Sequence, residues 1–208
     1  MVKSLFITRP TYDETTSYLY AYAGKTINFA KDRSIKVIDF SGERANRKAV
    51  ETFFEKHNPS IAFFNGHGTE TSILGHNDEL LISHENSDLL QNSVVYALAC
   101  GCAESLGPKS VEKGAKAFIG YSDDFILFKD KSKTCKPLSD DIARAFLDPA
   151  NSVPISLLSG KSPSESKNFA IKEFEKAISH LSSSAAPLNS EFALFGLFWN
   201  MHHLVCVE

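Results

Sequence analysis

Ile61-Ala62-Phe63-Phe64-Asn65-Gly66-His67-Gly68 and, further along, Val94-Val95-Tyr96-Ala97-Leu98-Ala99-Cys100-Gly101-Cys102 decide the reading of this chain. In each, an apolar run without polar alternation empties into a small-residue turn that carries a reactive side chain. A strand that faces water on one side alternates in polarity. A run that is apolar throughout is covered on both faces, as in a parallel sheet between helical layers. Leu5-Phe6-Ile7 and Ala117-Phe118-Ile119-Gly120-Tyr121 extend the same pattern in both directions, and Ile35-Lys36-Val37-Ile38-Asp39-Phe40 reads as a further strand. Helical spacing over about 15–30 and about 44–57 fills the gaps, and a repeat of about 25–30 residues is the period of βαβ crossovers.

The rest of the chain fits that plan. Short β-like pieces around Ser72-Ile73-Leu74 and Glu79-Leu80-Leu81-Ile82, joined through Asn77-Asp78, predict a small hairpin inserted at about 71–83. Pro108 and Gly114 bracket a helix over about 108–114. Further helices are expected over about 138–147 and about 164–182, then a helix or strand through Phe192–Trp199. Leu204-Val205-Cys206-Val207 reads as the closing strand. Lys129, Lys131, Lys133 and Lys136 mark a solvated loop. The expected fold is one α/β domain over 1–208, a three-layer sandwich with five or six mostly parallel strands and helices on both faces.

Composition sets limits on function. The chain has 208 residues, 43% of them apolar and 16 of them Phe, which is enough to build a core without disulfides or structural metal. The formal charge of −3 gives no electrostatic reason to expect nucleic acid or an anionic membrane as partner. No apolar run is long enough to span a bilayer. Four cysteines, Cys100, Cys102, Cys135 and Cys206, are too few for a disulfide scaffold, and the N-terminus carries no secretory pattern. The expectation is a cytoplasmic protein with free thiols.

In an open parallel sheet, ligands bind beyond the carboxyl ends of the strands. Asn65-Gly66-His67-Gly68, Cys100-Gly101-Cys102 and Ser122-Asp123-Asp124 all end strands, so they share one rim if those strands are neighbours. A cysteine needs a base or an electropositive neighbour to become a thiolate near neutral pH, and imidazole suits both that role and proton delivery to an amine. The amides of Gly68, Gly101 and Cys100 are candidates for holding a developing oxyanion. Taken singly, a strand-end histidine also serves as a turn residue and a cysteine as a small buried one.

Phe63-Phe64-Asn65-Gly66-His67-Gly68 and Val94-Val95-Tyr96-Ala97-Leu98-Ala99-Cys100-Gly101 resemble the two catalytic strand ends of the caspase-like cysteine peptidases, in the manner of CHAT-like or gingipain-like domains. Gly114-Ala115-Lys116-Ala117-Phe118-Ile119-Gly120-Tyr121-Ser122 resembles their next element, so the likeness covers about 60–124. It implies a caspase-like sandwich and a cysteine endopeptidase. His67 would be general base and acid, Cys100 the nucleophile, and the Gly68 and Cys100 amides the oxyanion hole. Asn65 or a main-chain carbonyl would orient the imidazole. Members that cut after basic residues use acidic pocket groups, which assigns Asp123 and Asp124 to a substrate pocket for Arg or Lys. No cofactor or metal is implied. The implied partners are a peptide or protein substrate and an activating protein.

The chain departs from true caspases at Leu98-Ala99-Cys100-Gly101-Cys102, where those enzymes have Gln-Ala-Cys-Arg-Gly. Its His and Cys stand 33 apart, against about 50 there. The competing account is an inactive or partner-activated interaction module of the same fold. A metal site on His67, Cys100 and Cys102 with His76 or His84 has the wrong cysteine spacing. A redox pair of Cys100 and Cys102 lacks the familiar Cys-x-x-Cys spacing.

Overall fold

A computed structural model describes residues 4–183 and 191–208; Met1, at the N-terminus read above, lies outside them. The central sheet has six strands: β1 Ser4–Arg9, β2 Lys36–Ser41, β3 Ile61–Asn65, β7 Val94–Leu98, β8 Ala117–Tyr121 and β9 Leu204–Val207. Their order is β2-β1-β3-β7-β8-β9, and all pair in parallel except the antiparallel β9. A second sheet, β4 Gly68–Thr69, β5 Ser72–Leu74 and β6 Leu80–Ser83, is antiparallel throughout.

Alternate residues along each strand enter opposite cores, because successive side chains point to opposite faces. Leu5, Ile7, Ile61, Phe63, Tyr96, Leu98, Ile119 and Tyr121 face one helical layer. That layer is α1 Glu14–Asp32, α4 Asp141–Leu158, α5 Pro163–Leu181 and α6 Glu191–His203. Phe6, Ala62, Phe64, Val95, Ala97 and Phe118 face the other layer, made by α2 Arg47–Phe54, α3 Leu106–Glu112 and the small sheet. There Phe6 sits among Phe40, Phe53, Phe54 and Phe64 at ring separations of 4.8–5.7 Å. Deleting such a ring costs about 3–5 kcal/mol. The continuous apolar runs are the sequence record of this two-sided burial.

The helix expected over about 138–147 runs on to Leu158, through Pro149 and Pro154. Proline within a helix removes a donor and orphans the carbonyl four residues earlier. Here the carbonyl orphaned by Pro154 belongs to Ala150, and the buried Tyr96 hydroxyl donates to it at 2.9 Å. Asn151 Nδ2 also donates to the Leu147 carbonyl at 2.8 Å. The Tyr96 side chain therefore replaces one lost bond of the ladder, and packing on α5 outweighs local propensity. Phe192–Trp199 lies within the helix α6. Among the described residues, no helix is long and apolar enough to cross a membrane.

Candidate active site

Strand order creates the site. After β1 the chain moves to β2 on one side, then returns past β1 to β3 on the other. The strand order thus reverses between β1 and β3, and in such sheets ligands usually bind beyond the carboxyl ends near that point. Four neighbouring strands deliver polar groups to this rim: β1 delivers Asp13, β3 delivers His67, β7 delivers Cys100, and β8 delivers Asp123 and Asp124.

His67 lies between β3 and β4, and its Nε2 is 2.7 Å from Asp13 Oδ2. Asp13 is also the N-cap of α1, accepting from the Thr16 amide in a capping box. Burial alone would raise the Asp13 carboxyl, but hydrogen bonds from Thr16 and His67 outweigh it and hold the group below its ordinary range. An ionised carboxylate only accepts, so Nε2 carries a proton toward Asp13, and the tautomer that this selects presents Nδ1 as the acceptor nitrogen. The Tyr12 ring stands edge-on to His67 at 6.2 Å and to His76 at 5.3 Å. The Tyr12 hydroxyl donates to Asp78 on the turn between β5 and β6, which ties the small sheet to the start of α1.

Asn65 does not orient the imidazole. It ends β3 facing β1, where its amide nitrogen donates to the Thr8 carbonyl at 3.0 Å. Asp13 holds the ring instead. Sequence reasoning missed it because it lies 54 positions upstream of His67 and follows a strand whose end was not considered part of the rim. The available signal was the Asp13-Glu14-Thr15-Thr16 capping pattern directly after the first strand.

Cys100 follows β7 and lines a cavity of about 720 Å³ together with Gly68, Glu70, Glu104, Asp123 and Asp124. Burial, with the nearby Asp124 and Asp123 carboxylates, pushes its thiol up, while the Phe125 amide pulls it down. No hydrogen bond joins this thiol to the His67 ring among the described residues. Cys102 is fully buried in the second core and directs its thiol at the Ala99 carbonyl. Its thiol is pushed up to about 12, first by burial and then by Cys100. It is a packing residue of that core.

Of the three amides considered for an oxyanion, one is occupied. Gly101 turns with φ +62°, a conformation that favours glycine, and its N–H donates to the Asp123 carbonyl at 2.9 Å. Gly68 differs. The Leu74 amide donates to the His67 carbonyl at 3.0 Å, which makes Gly68 and Ile73 a non-hydrogen-bonded pair, with the Gly68 N–H directed away from β5. A Cβ on Gly68 would lie 2.8 Å from the Cys100 carbonyl, so only glycine allows this approach. No backbone carbonyl takes the Cys100 amide among the described residues.

His84 lies elsewhere, its Nε2 against the Ser105 hydroxyl at 3.1 Å. Among the described residues, no three His, Cys, Asp or Glu side chains are grouped to hold a metal ion.

No protein-family model matches the chain, and no curated protein sequence does. Solved structures do match. The complex of Porphyromonas gingivalis RgpB pro- and mature domains superposes with a TM-score of 0.61 at 11% identity, over 98% of this chain and 46% of that one. The Arg-specific cysteine proteinase gingipain R (RgpB) gives 0.55 at 12%, over 84% and 43%. A secreted C11 cysteine protease from Bacteroides thetaiotaomicron, iotapain, gives 0.45 at 10%, over 86% and 70%. The chain thus spans less than half the length of the first two. It has the caspase-like fold of these cysteine peptidases.

Proposed function

We propose that the protein is a cysteine endopeptidase working through His67 and Cys100. The observation that carries this reading is that Cys100 and Gly68 line one cavity while His67, the residue before Gly68, is held by Asp13 on the same rim. His67 Nδ1 takes the thiol proton, Cys100 Sγ attacks the peptide carbonyl, and the Gly68 and Cys100 amides receive the oxyanion. The imidazolium then protonates the departing amine, and water releases the acyl group. Asp123 and Asp124 are both exposed into the cavity and suit an Arg or Lys side chain at the first substrate position. Support comes from the fold, shared with cysteine proteinases of which one is described as Arg-specific.

The test is labelling by peptidyl acyloxymethyl ketones that differ in their first-position residue, read by intact mass. Wild type should take one adduct, fastest from the Arg or Lys probe. Cys100→Ala should take none, Cys102→Ala should keep it, and His67→Ala should slow it. A folded wild type that no probe labels would replace the peptidase reading with a non-catalytic module.

A further inference from the structure

β2 is an edge of the central sheet: it pairs with β1 on one side and, among the described residues, with nothing on the other. Its outer main-chain donors and acceptors are therefore open to a further strand. On the α1 side Asp39 is held by Arg9. Lys36, Ile38 and Phe40 face the other way, toward α2. Beside them lie two cavities of about 500 Å³ and about 350 Å³. Phe40, Lys48 and Phe53 line the first, and Lys36, Ile38 and Phe53 line the second. Lys56 and His57, just beyond α2, line both.

The charge of this face differs from that of the whole chain. The formal charge of the chain is −3, yet no carboxylate lines either cavity. Lys25, Lys109, Lys113, Lys129 and Lys176 each reach a carboxylate. Lys36, Lys48 and Lys56 are exposed and reach none among the described residues. The floor among these lysines is apolar. Ile38 and Phe53 are half-buried there, and the Phe53 ring lies 5.8 Å from that of Phe40 and 4.9 Å from that of His57. A second copy pairing edge to edge would bring the same lysines, and like charges oppose it. A strand that carries carboxylates is complementary to the edge.

We propose that the β2 edge docks an extended acidic segment of a partner protein, which adds to the sheet as a further strand. Lys36 and Phe40 stand four residues apart, about 13 Å along the strand. An added strand sets its own alternate residues beside Lys36, Ile38 and Phe40. The segment that fits has an apolar side chain over Ile38 and Phe53 and a carboxylate two positions away on each side. One carboxylate meets Lys36 and the other meets Lys48 beside Phe40. Main-chain hydrogen bonds give the affinity, and the two cavities choose the side chains. An anionic lipid surface matches the lysines but has no use for the open edge, which favours a peptide. β1 and β3 stand between β2 and β7, so this surface is distinct from the cavity at Cys100. It owes nothing to the peptidase reading.

The test is fluorescence polarisation of a fluorescein-labelled Glu-Thr-Val-Thr-Glu amide titrated with the full chain at low ionic strength. Binding should be saturable and weaken with salt, and the Gln-Thr-Val-Thr-Gln peptide should bind roughly 5–10-fold more weakly. The double variant Lys36→Glu with Lys48→Glu changes only exposed side chains. It should lose the acidic peptide and gain Lys-Thr-Val-Thr-Lys, a rescue that an unfolded variant could not give. Two N-methylated forms of the acidic peptide, one blocked at both Thr amides and one at the Val amide, report the edge. An added strand bonds through alternate amides, so the two should differ in affinity. No binding of the acidic peptide up to about 1 mM would overturn the proposal. So would its retention by the double variant, or equal binding of the two N-methylated forms. Sedimentation of wild type, but not of the double variant, with equimolar phosphatidylcholine–phosphatidylserine vesicles would reassign the face to a membrane and overturn it as well.

Discussion

Replacing Asp13 separates two jobs held by one carboxylate. It caps α1 through the Thr16 amide at 2.7 Å and holds His67 Nε2 at 2.7 Å. Asparagine caps a helix about as well as aspartate, whereas alanine costs about 1 kcal/mol. For a chain of this length, that corresponds to a Tm loss of about 2–4 °C. Asp13→Ala should therefore melt lower and Asp13→Asn close to wild type. Catalysis should order them differently. The carboxamide no longer fixes the proton on Nε2, and it removes a charge-assisted hydrogen bond worth about 1.5–3 kcal/mol. Both partners are about a third exposed, at 34% and 38%, so water weakens the bond and the lower half of that range applies. A loss of about 1.5–2 kcal/mol is a fall of roughly 10–30-fold in probe-labelling rate for both variants. Acid should erase part of the difference in stability. The folded Asp13 carboxyl lies below its ordinary value of 3.8, so its contribution is complete above that value and disappears as pH falls through the depressed one. The small Tm gap between wild type and Asp13→Asn should close on going from neutral to strongly acidic buffer. Thermal melts and labelling time courses on the same three proteins decide the matter. Wild-type labelling by Asp13→Asn would refute the positioning role, and equal melting of all three would refute the cap.

Other perturbations test separate parts of the structure. Gly68→Ala places a Cβ 2.8 Å from the Cys100 carbonyl and 2.9 Å from the Ala99 Cβ, so labelling of Cys100 should collapse while circular dichroism is unchanged. Cys102, fully buried with its thiol pushed up to about 12, should resist iodoacetamide at neutral pH in the native protein and react only after denaturation, as peptide mapping would show. Tyr96→Phe leaves the Ala150 carbonyl unpaired opposite Pro154 and should cost about 1–3 kcal/mol in urea unfolding. A midpoint equal to wild type would mean that α4 does not depend on that hydroxyl.

The sheet was legible because burial on both faces leaves an unmistakable pattern. Ile61–Phe64 and Val94–Ala99 contain no polar residue to confuse a strand with a helix. The strand-end positions of His67 and Cys100 were legible for the same reason, since each follows such a run. What escaped was everything decided by contacts remote in sequence. α4 could not be read through Pro149 and Pro154, and the hydroxyl that takes the carbonyl freed by Pro154 comes from Tyr96, 54 positions from Ala150. The occupied Gly101 amide depends on how the loop after β8 folds back on the one after β7. Asn65 looked like the partner of His67 because it is two residues away. In a strand, however, nearness along the chain says little about which side chains meet, and Asn65 is committed to Thr8 on β1.

Asp13 shows why the reversal in strand order matters to the chemistry. Chain leaving β1 enters α1, which packs on one face of the sheet, while chain leaving β3 enters β4–β6, whose Ile73, Leu81 and Ile82 pack on the other. The two exits diverge, so neither covers the gap between the strand ends. A side chain placed on either exit can reach into that gap. The N-cap of α1 falls there because a capping residue must stand at the first turn of its helix, with its carboxylate already directed by the Thr16 amide. His67 approaches from the opposite exit and finds an acceptor whose position is set by helix formation itself. On this argument the orientation of the imidazole is as stable as the start of α1. It should persist in any variant that keeps the cap and the charge, and fail in one that keeps only the cap.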